Sequence, residues 1–547
     1  IENNEDFNLA ANQVNKETVV IYDSDEGEIN WQNNTDSEYV ETDSEDVETS
    51  SEEADYESDF SFESNNEEVP EFTENKEDYG EWKCYENFKK FVFEGDSGFK
   101  CSSIGLDPYQ FFELFFDTNF FSSIVQETNN YGMRRKGDQW KVLTVPEFKI
   151  FLGLLLHTGT IKCSQMQNYW SVTRLFNLTC FTQHMNRNRF QEILLSLHFS
   201  SNERDHNHLN KIRPVINYFN DKMKQVYYPH KELSVDQIVV PWLGSLVFRP
   251  HIPGKRRKFG IKLYVLSETS GISLRIKVYK GSDSFFNNKG FPTKVVLHLL
   301  NDFLQKGHSV YLNDSCTSLE LAWQLLVART YCTGILKKSK ELNKTFINAK
   351  LLKETAISCF RNSVMMGKFR SKRSCMFISS EFTANFVELK NKKKIKMPLP
   401  LYQCNAVMNA IKNKDELLSS HTCLRRTFKW YIKLWLYVVE TLLLNSFFLY
   451  SKYSTSTKRI SFSNFRLNII DALLFTNRIQ ASTPSTSLTL EHKPEILPRD
   501  ENNRVKRKRC RQCYSNGTKK KTNYFCSGCL DNPGLCIGEC FQKFHNR

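Results

Sequence analysis

The sequence predicts a mixed α/β protein: a strand-rich centre flanked by helices, with an acidic extension before it and a cysteine-rich module after it. Three observations lead there. Apolar residues recur at helical spacing until about Leu233, where the period changes to strand alternation, and helical spacing returns from Asn413. Between those points the order strand, strand, strand, helix, strand, helix is that of a mixed sheet. Six of the 16 cysteines fall between positions 510 and 540, which sets that end apart.

Residues 1–79 hold 27 Asp and Glu against two Lys. Such a segment buries too little apolar surface to offset chain entropy and is expected to be a disordered acidic tail. Its Ser and Thr residues before acidic clusters, as in Thr42-Asp43-Ser44-Glu45-Asp46, also suit acid-directed kinases. Residues 84–230 read as a helical support domain of the dimerisation or DNA-binding kind. Tyr109, Phe111, Phe112, Leu114, Phe115 and Phe116 form one apolar stripe; Val145, Phe148, Phe151, Leu152 and Leu155 form a second; Phe190, Ile193, Leu194 and Leu197 form a third.

Strands are expected over 233–240, 258–266 and 274–279, separated by turn formers such as Pro253-Gly254 and Ser270-Gly271. A helix over 293–304, stopped by Gly307, leads to a short buried strand over 309–314, a helix from Thr317 and a strand over 333–336. Residues 231–339 thus make the first part of a core. Residues 340–400, Lys-rich and poorly periodic, read as an insertion, and residues 401–477 complete the core. Asn413 with Glu416 has capping-box spacing and starts a helical stretch that runs, with breaks, to about Tyr453. Its apolar run over 432–450 is interrupted by Lys433 and Glu440, a pattern for a buried core helix rather than a membrane span. Residues 478–505 read as a linker, and 506–547 as the cysteine module.

The formal charge of +12 hides an asymmetry, because without the tail the chain stands at about +37. A body that basic attracts polyanions. Double-stranded DNA leads among them, since neutralised phosphates release counterions; membrane surface and acidic protein follow. No basic-then-apolar leader opens the sequence, so an intracellular setting is expected, with cysteines reduced or bound to metal. Neither a membrane nor a small-molecule substrate is expected.

Asp236 stands inside an apolar strand, where an acid needs a neutralising partner. Asp314 ends a second strand. Two strand-borne carboxylates meeting at one sheet edge suit Mg²⁺, which takes hard oxygen ligands, although strand-end aspartates are also ordinary turn residues. The wording around them is more specific. Ser234-Val235-Asp236, Phe248-Arg249-Pro250-His251-Ile252-Pro253-Gly254-Lys255, Lys258-Phe259-Gly260-Ile261-Lys262-Leu263 and Val278-Tyr279-Lys280-Gly281 resemble the first catalytic block of piggyBac transposases. Asp314 with Thr317, Ser318 and Leu319 resembles the second block. Arg425-Arg426-Thr427, Lys429-Trp430-Tyr431 and Asn445-Ser446 are similar to the helical block after the third. The resemblance covers residues 84–547.

This resemblance implies an RNase H-like core interrupted by an insertion, with three essential acids holding two Mg²⁺ ions for DNA strand transfer at TTAA sites, and a homodimer. Asp236 and Asp314 match the first two acids. At the third block the family reads Met-Gly-Gly-Val-Asp, two residues, Asp-Gln; this chain reads Met408-Asn409-Ala410-Ile411-Lys412-Asn413-Lys414-Asp415-Glu416. Lys412 therefore stands where the third acid belongs, and Asp415 keeps the second aspartate. An ammonium cannot ligate Mg²⁺, so catalysis is expected to be impaired unless Asp415 supplies a ligand. Otherwise Asp415 is a first-turn acid complementing a helix dipole. Ser315-Cys316 replaces an aromatic pair, and Phe369 and Ser371 replace a Trp and an Asp.

Cys510-x-x-Cys513, Cys526-x-x-Cys529, Cys536, Cys540 and His545 have the spacing of tetrahedral Zn²⁺ sites. Seven ligands fill one site and leave a second one short. Lys506-Arg507-Lys508-Arg509 and Lys519-Lys520-Lys521 flank the first pair and offer phosphate contacts or a nuclear import signal. The family's similar module implies a grip on transposon ends; a structural zinc module and a cross-brace reader of proteins stay open. Lys255, Arg256, Arg257 and Lys258 are either a solvated face or a track for the DNA backbone, and Lys392-Lys393-Lys394 is by default a solvated face. The reading is a transposase-derived nuclear protein that binds inverted-repeat-like DNA with impaired chemistry. The alternatives are an active transposase using Asp236, Asp314 and Asp415, or a chromatin or protein-interaction adaptor.

Overall fold

The computed structural model describes residues 82–101, 106–200, 208–242, 260–279, 291–337, 344–389, 395–423, 429–455, 459–475, 494–499, 505–527, 529 and 532–545, and the backbone of 19–21. Lys255, Arg256, Arg257, Lys258, the Lys392–394 run, Arg425-Arg426-Thr427 and the acidic tail apart from 19–21 lie outside the described residues. The chain divides into two units, Ile1–Phe475 and Thr476–Arg547.

An eight-stranded sheet organises the first unit. Its strands are β1 (Glu232–Pro241), β2 (Gly260–Glu268), β3 (Ser273–Val278), β4 (Ser309–Leu312), β5 (Tyr331–Leu336), β6 (Thr355–Arg361), β7 (Val364–Arg370) and β8 (Ser374–Ser379), in the order β3-β2-β1-β4-β5-β8-β7-β6. β1 pairs parallel with β4, and β4 with β5, while the neighbours on either side are antiparallel. All four residues of β4 are buried, as a central strand with both faces covered requires. The helices Phe291–Leu300 and Leu319–Val327 supply the crossovers. Ser318 caps the second, its Oγ accepting from Leu321 N–H at 3.1 Å. Gly307, before β4, has φ +75°, and a Cβ there would lie 2.4 Å from the Val92 carbonyl oxygen, so only glycine fits.

The segment read as an insertion, residues 340–400, is more regular than its sequence suggests, because it carries β6, β7 and β8, which extend the sheet beyond β5. Its period is masked by polar residues that turn inward and find partners. Lys368 in β7 is buried, and its Nζ donates to the Ile347 and Ala349 carbonyls at 2.6 Å each. Beyond β8, Phe386–Leu389 pairs with Ile395–Pro398 on one side and with Val19–Ile21 on the other.

The capping box expected at Asn413 is overturned. One helix runs from Leu399 to Ser420 with Pro398 at its N-cap and Pro400 in its first turn. Leu401, Cys404, Val407 and Ile411 form its buried face at helical spacing, so the period simply starts earlier. Asp415 is therefore interior to the helix, not in its first turn. The next helix, Trp430–Tyr453, is long and apolar enough to cross a membrane, yet most of its apolar window is buried in the fold. Glu440 within it accepts hydrogen bonds from Thr422 Oγ1 at 2.9 Å and Cys423 N–H at 2.5 Å. One hydrophobic core joins the helices before the sheet to the sheet itself, from Phe111 to Leu474.

Among the described residues, the second unit shows two short ribbons, Pro494–Ile496 with Tyr524–Cys526 and Lys508–Arg509 with Lys521–Thr522, and two short helices, Arg511–Ser515 and Glu539–His545. The first strand of the first ribbon lies within the stretch read as linker.

Candidate catalytic pocket and zinc module

The parallel register of β1 and β4 sets Val235 opposite Leu312, so Asp236 and the Asn313-Asp314 pair emerge at the same edge of the sheet. Asp236 is half-buried. Its Oδ1 accepts from the Gln237 backbone N–H at 2.7 Å and from Asn313 Nδ2 at 2.8 Å. Asp314 points to solvent and pairs with Lys337 at 3.4 Å, both side chains more than half exposed. Such a pair is screened and contributes little. Cys316, two residues past Asp314, is buried, and burial raises its thiol pKa, with Asp236 and Asp314 adding to the rise.

The Leu399–Ser420 helix carries three charged groups here, of which Lys414 and Asp415 lie within electrostatic reach of the Asp236 region. Lys412 is exposed, Asp415 is half-buried, and Lys414 is fully buried. Lys414 Nζ donates to Ser267 Oγ at 3.2 Å and Ser273 Oγ at 3.4 Å. Burial depresses its pKa, while Asp415 and Asp236 pull the other way, so both carboxylates lie within electrostatic reach of one ammonium. Asp415 and Asp236 also raise the buried Tyr437 hydroxyl, after burial itself.

Among the described residues, the groups of three or more Cys, His, Asp or Glu with ligand atoms within 4.8 Å of one another are the two in the second unit. Asp236, Asp314 and Asp415 do not form another. An Mg²⁺ at this edge would rest on the two strand-borne carboxylates, Asp236 and Asp314, because Asp415 joins them in no three-ligand group and Lys412 is an exposed ammonium.

The cysteines do gather. Cys510, Cys513, Cys536 and Cys540 form one group, and Cys526, Cys529 and His545 the other. Cys513 Sγ lies 3.5 Å from Cys540 Sγ, and Cys529 Sγ lies 3.3 Å from His545 Nε2. His545 Nδ1 sits 2.7 Å from the Phe541 carbonyl; donating there leaves the Nε2 lone pair facing Cys529. Burial raises the Cys510 thiol, but hydrogen bonds from the Cys513 and Cys536 backbones outweigh it and bring the thiol to about 7. Burial and the neighbouring thiols raise Cys536 to about 11 and Cys540 to about 12, so the four sulfurs together favour one thiolate, and a soft metal would displace the remaining protons. Ligands of the two groups alternate along the chain, a cross-brace. Among the described residues no eighth such side chain joins the three-ligand group.

The Lys508–Arg509/Lys521–Thr522 ribbon carries the ends of both basic runs. Arg509 lies opposite Lys521, and Lys506, Arg507, Lys519 and Lys520 are exposed beside them. Asn313, Lys414 and Asn445 were not anticipated as site residues. Asn445 accepts from Ser273 N–H at 3.0 Å and donates to Ser273 O at 2.7 Å, holding the start of β3. Only its place in a family-like block hinted at this.

Strand order, crossovers and the shared carboxylate edge define an RNase H-like strand-transfer fold followed by a zinc-finger domain. Residues 107–447 match the family described as Transposase IS4, and residues 490–546 match the DDE_Tnp_1-like zinc finger. The chain belongs to the piggyBac transposase family. It is 23% identical to human PiggyBac transposable element-derived protein 3 over 383 residues, 66% of this chain and 64% of that protein. It is 26% identical to human PiggyBac transposable element-derived protein 5 over 250 residues, 42% of this chain and 47% of that protein. The matches thus span less than two thirds of either relative. A piggyBac transposase synaptic complex with hairpin DNA, solved by cryo-EM, shares the fold at a TM-score of 0.64 and 21% identity, covering 81% of this chain and 97% of that one.

Proposed function

We propose that this chain is a transposase-derived nuclear DNA-binding protein whose strand-cutting chemistry is impaired. The observation that carries the DNA-binding part is the pairing of Lys508–Arg509 with Lys521–Thr522, which gathers two exposed basic runs onto one ribbon braced by the cysteine groups. Clustered ammonium and guanidinium groups on a rigid support neutralise phosphates without reading sequence. That a fold neighbour was solved with hairpin DNA supports the same partner. Lys506–Arg509 would also serve nuclear import, and family likeness supports a homodimer.

The test is binding of the full chain to duplex DNA across a salt series. Each neutralised phosphate contributes about 0.9 to the slope of log affinity against log salt. Replacing Lys508, Arg509, Lys520 and Lys521 by Ala should weaken binding and flatten that slope. Absence of binding at low salt would overturn the reading. Impaired chemistry is tested separately by excision of a piggyBac-type donor. Activity of the unmodified chain, abolished by Asp236→Asn, would sink it in favour of an active transposase. The interleaved cysteine groups favour a second reading, a cross-brace adaptor for protein partners, which predicts no salt-dependent DNA affinity.

A further inference from the structure

Of the 16 cysteines one is exposed, Cys84, and it belongs to neither cysteine group of the second unit. It stands on a strap, residues 82–94, that runs along the sheet ahead of the first helices. Lys83 holds this strap against β6, the last strand of the sheet. Lys83 N–H donates to the Phe360 carbonyl at 2.8 Å, and Phe360 N–H donates to the Lys83 carbonyl at 2.7 Å. Further on, Phe91 N–H donates to Tyr331 Oη at 2.5 Å and Glu94 N–H to the Lys306 carbonyl at 2.9 Å, so both ends of the strap are fixed.

In an antiparallel pairing, two residues that exchange both hydrogen bonds are flanked by pairs that exchange none, whose Cα atoms lie about 4.5 Å apart with their side chains on one face. One step along from Lys83 and Phe360, that pair is Cys84 and Cys359. The packing agrees. Trp82, two residues before Cys84 and so on its face, packs against the cluster that holds Cys359 and Met366. Arg361 lies 5.7 Å over the Trp82 ring, and the Tyr85 ring lies 5.9 Å from that of Phe360, so contacts hold the strap on either side of Cys84. Burial, and after it Cys84 itself, raises the Cys359 thiol, so the two sulfurs are close enough to sense each other's charge. A disulfide joins Cα atoms about 4.4 to 6.8 Å apart, a span that such a pair reaches with little backbone movement.

Access divides the pair. Cys84 is open to solvent and Cys359 is buried, so an oxidant meets Cys84 first and Cys359 is placed to resolve the product. We propose that Cys84 and Cys359 are a site of reversible oxidation, closing into a disulfide that staples the strap to β6 when the chain meets a hydroperoxide. In the first step an S–O bond forms on Cys84 as the O–O bond breaks, and the thiol proton leaves on the departing oxygen as alcohol or water. Cys84 is oxidised by two electrons to the sulfenic acid, and the hydroperoxide is reduced by the same two. In the second step the Cys359 sulfur attacks that of Cys84; the S–S bond forms, the S–O bond breaks, and hydroxide leaves with the Cys359 proton as water. Thiols of the glutathione class reverse the bond by exchange, so in a reducing compartment it is transient.

The experiment is treatment of the full chain with hydrogen peroxide, with and without the sulfenic-acid trap dimedone, then trypsin digestion without reductant and mass spectrometry. Cuts after Lys83, Lys89, Lys353 and Arg361 leave Cys84 in peptide 84–89 and Cys359 in peptide 354–361, one cysteine in each. The expected result is these two peptides joined, about 2 Da lighter than their sum, and parted again by glutathione. In Cys359→Ala the dimedone adduct on Cys84 should rise about 10-fold or more over the unmodified chain, because the sulfenic acid has lost its resolving thiol. The unmodified chain decides the matter without any variant. Peroxide-treated chain in which Cys359 stays a free thiol, whether Cys84 is unchanged, carries dimedone or is over-oxidised, overturns the proposal. So does Cys84 joined to any other cysteine.

Discussion

Asn313 Nδ2 donates to Asp236 Oδ1 at 2.8 Å, so the residue preceding one strand-end acid orients the other. The bond ties the end of β4 to β1 at the edge where the carboxylates emerge. Asn313→Ala should lower stability by about 1 kcal/mol in chemical denaturation. Asn313→Asp should cost more at pH 7, since it sets two carboxylates face to face, and the extra loss should shrink on acidification as one of them takes up a proton.

Lys414 contributes against stability at neutral pH, because burial depresses its folded pKa below the unfolded value of 10.5. Between those two values the unfolded chain binds the extra proton, so this unfavourable contribution fades as pH rises towards 10.5. Lys414→Met should therefore raise stability by about 1 kcal/mol or more at pH 7, with an advantage that narrows in alkali. Denaturation midpoints at several pH values check both parts. A variant less stable than the parent would show that the Ser267 and Ser273 hydrogen bonds dominate.

His308 is buried at the start of β4, its Nδ1 3.1 Å from the Lys231 carbonyl and its Nε2 3.2 Å from Tyr228 Oη. Burial pushes its pKa down to about 4 from 6.5. The unfolded chain then takes up the proton first, so stability is full above pH 6.5 and falls as pH drops towards 4, by about 3 kcal/mol at most. In His308→Gln that acid-side slope should be shallower, read from thermal unfolding between pH 7 and 4.

Metal content should distinguish the two cysteine groups. The full chain is expected to hold about two zinc ions by elemental analysis, and Cys510→Ser and Cys526→Ser about one each. Chelator should remove the ion of the three-ligand group, read from Cys526→Ser against the parent, sooner than that of the four-ligand group. Equal release rates would argue that the second group has a full shell.

The strands around Asp236 and Asp314 were readable because each is largely apolar and bounded by turn formers. The clustering of Cys510 to His545 was readable because metal ligands sit at fixed spacing. What escaped is telling. β6, β7 and β8 hide their alternation because residues such as Lys368 point inward and are satisfied by carbonyls, which no hydropathy pattern reveals. The helix start at Leu399 was displaced to Asn413 because a plausible cap in the interior outweighed the prolines that begin it. Spacing alone admits several pairings of the seven metal ligands, and the burial of Lys414 depends on Ser267 and Ser273 far away in sequence, so both became visible only in three dimensions.

The alternation of ligands between the two cysteine groups bears on synthesis. A ribosome delivers Cys510, Cys513, Cys526 and Cys529 first, yet the first group needs Cys536 and Cys540 and the second needs His545. On a nascent chain the first group cannot close before Cys540 has left the exit tunnel, nor the second before His545, by which time every strand of the sheet has been made. A message cut short ahead of the codon for Cys536 would release a protein with every strand of its sheet present and with neither cysteine group able to brace the basic ribbon.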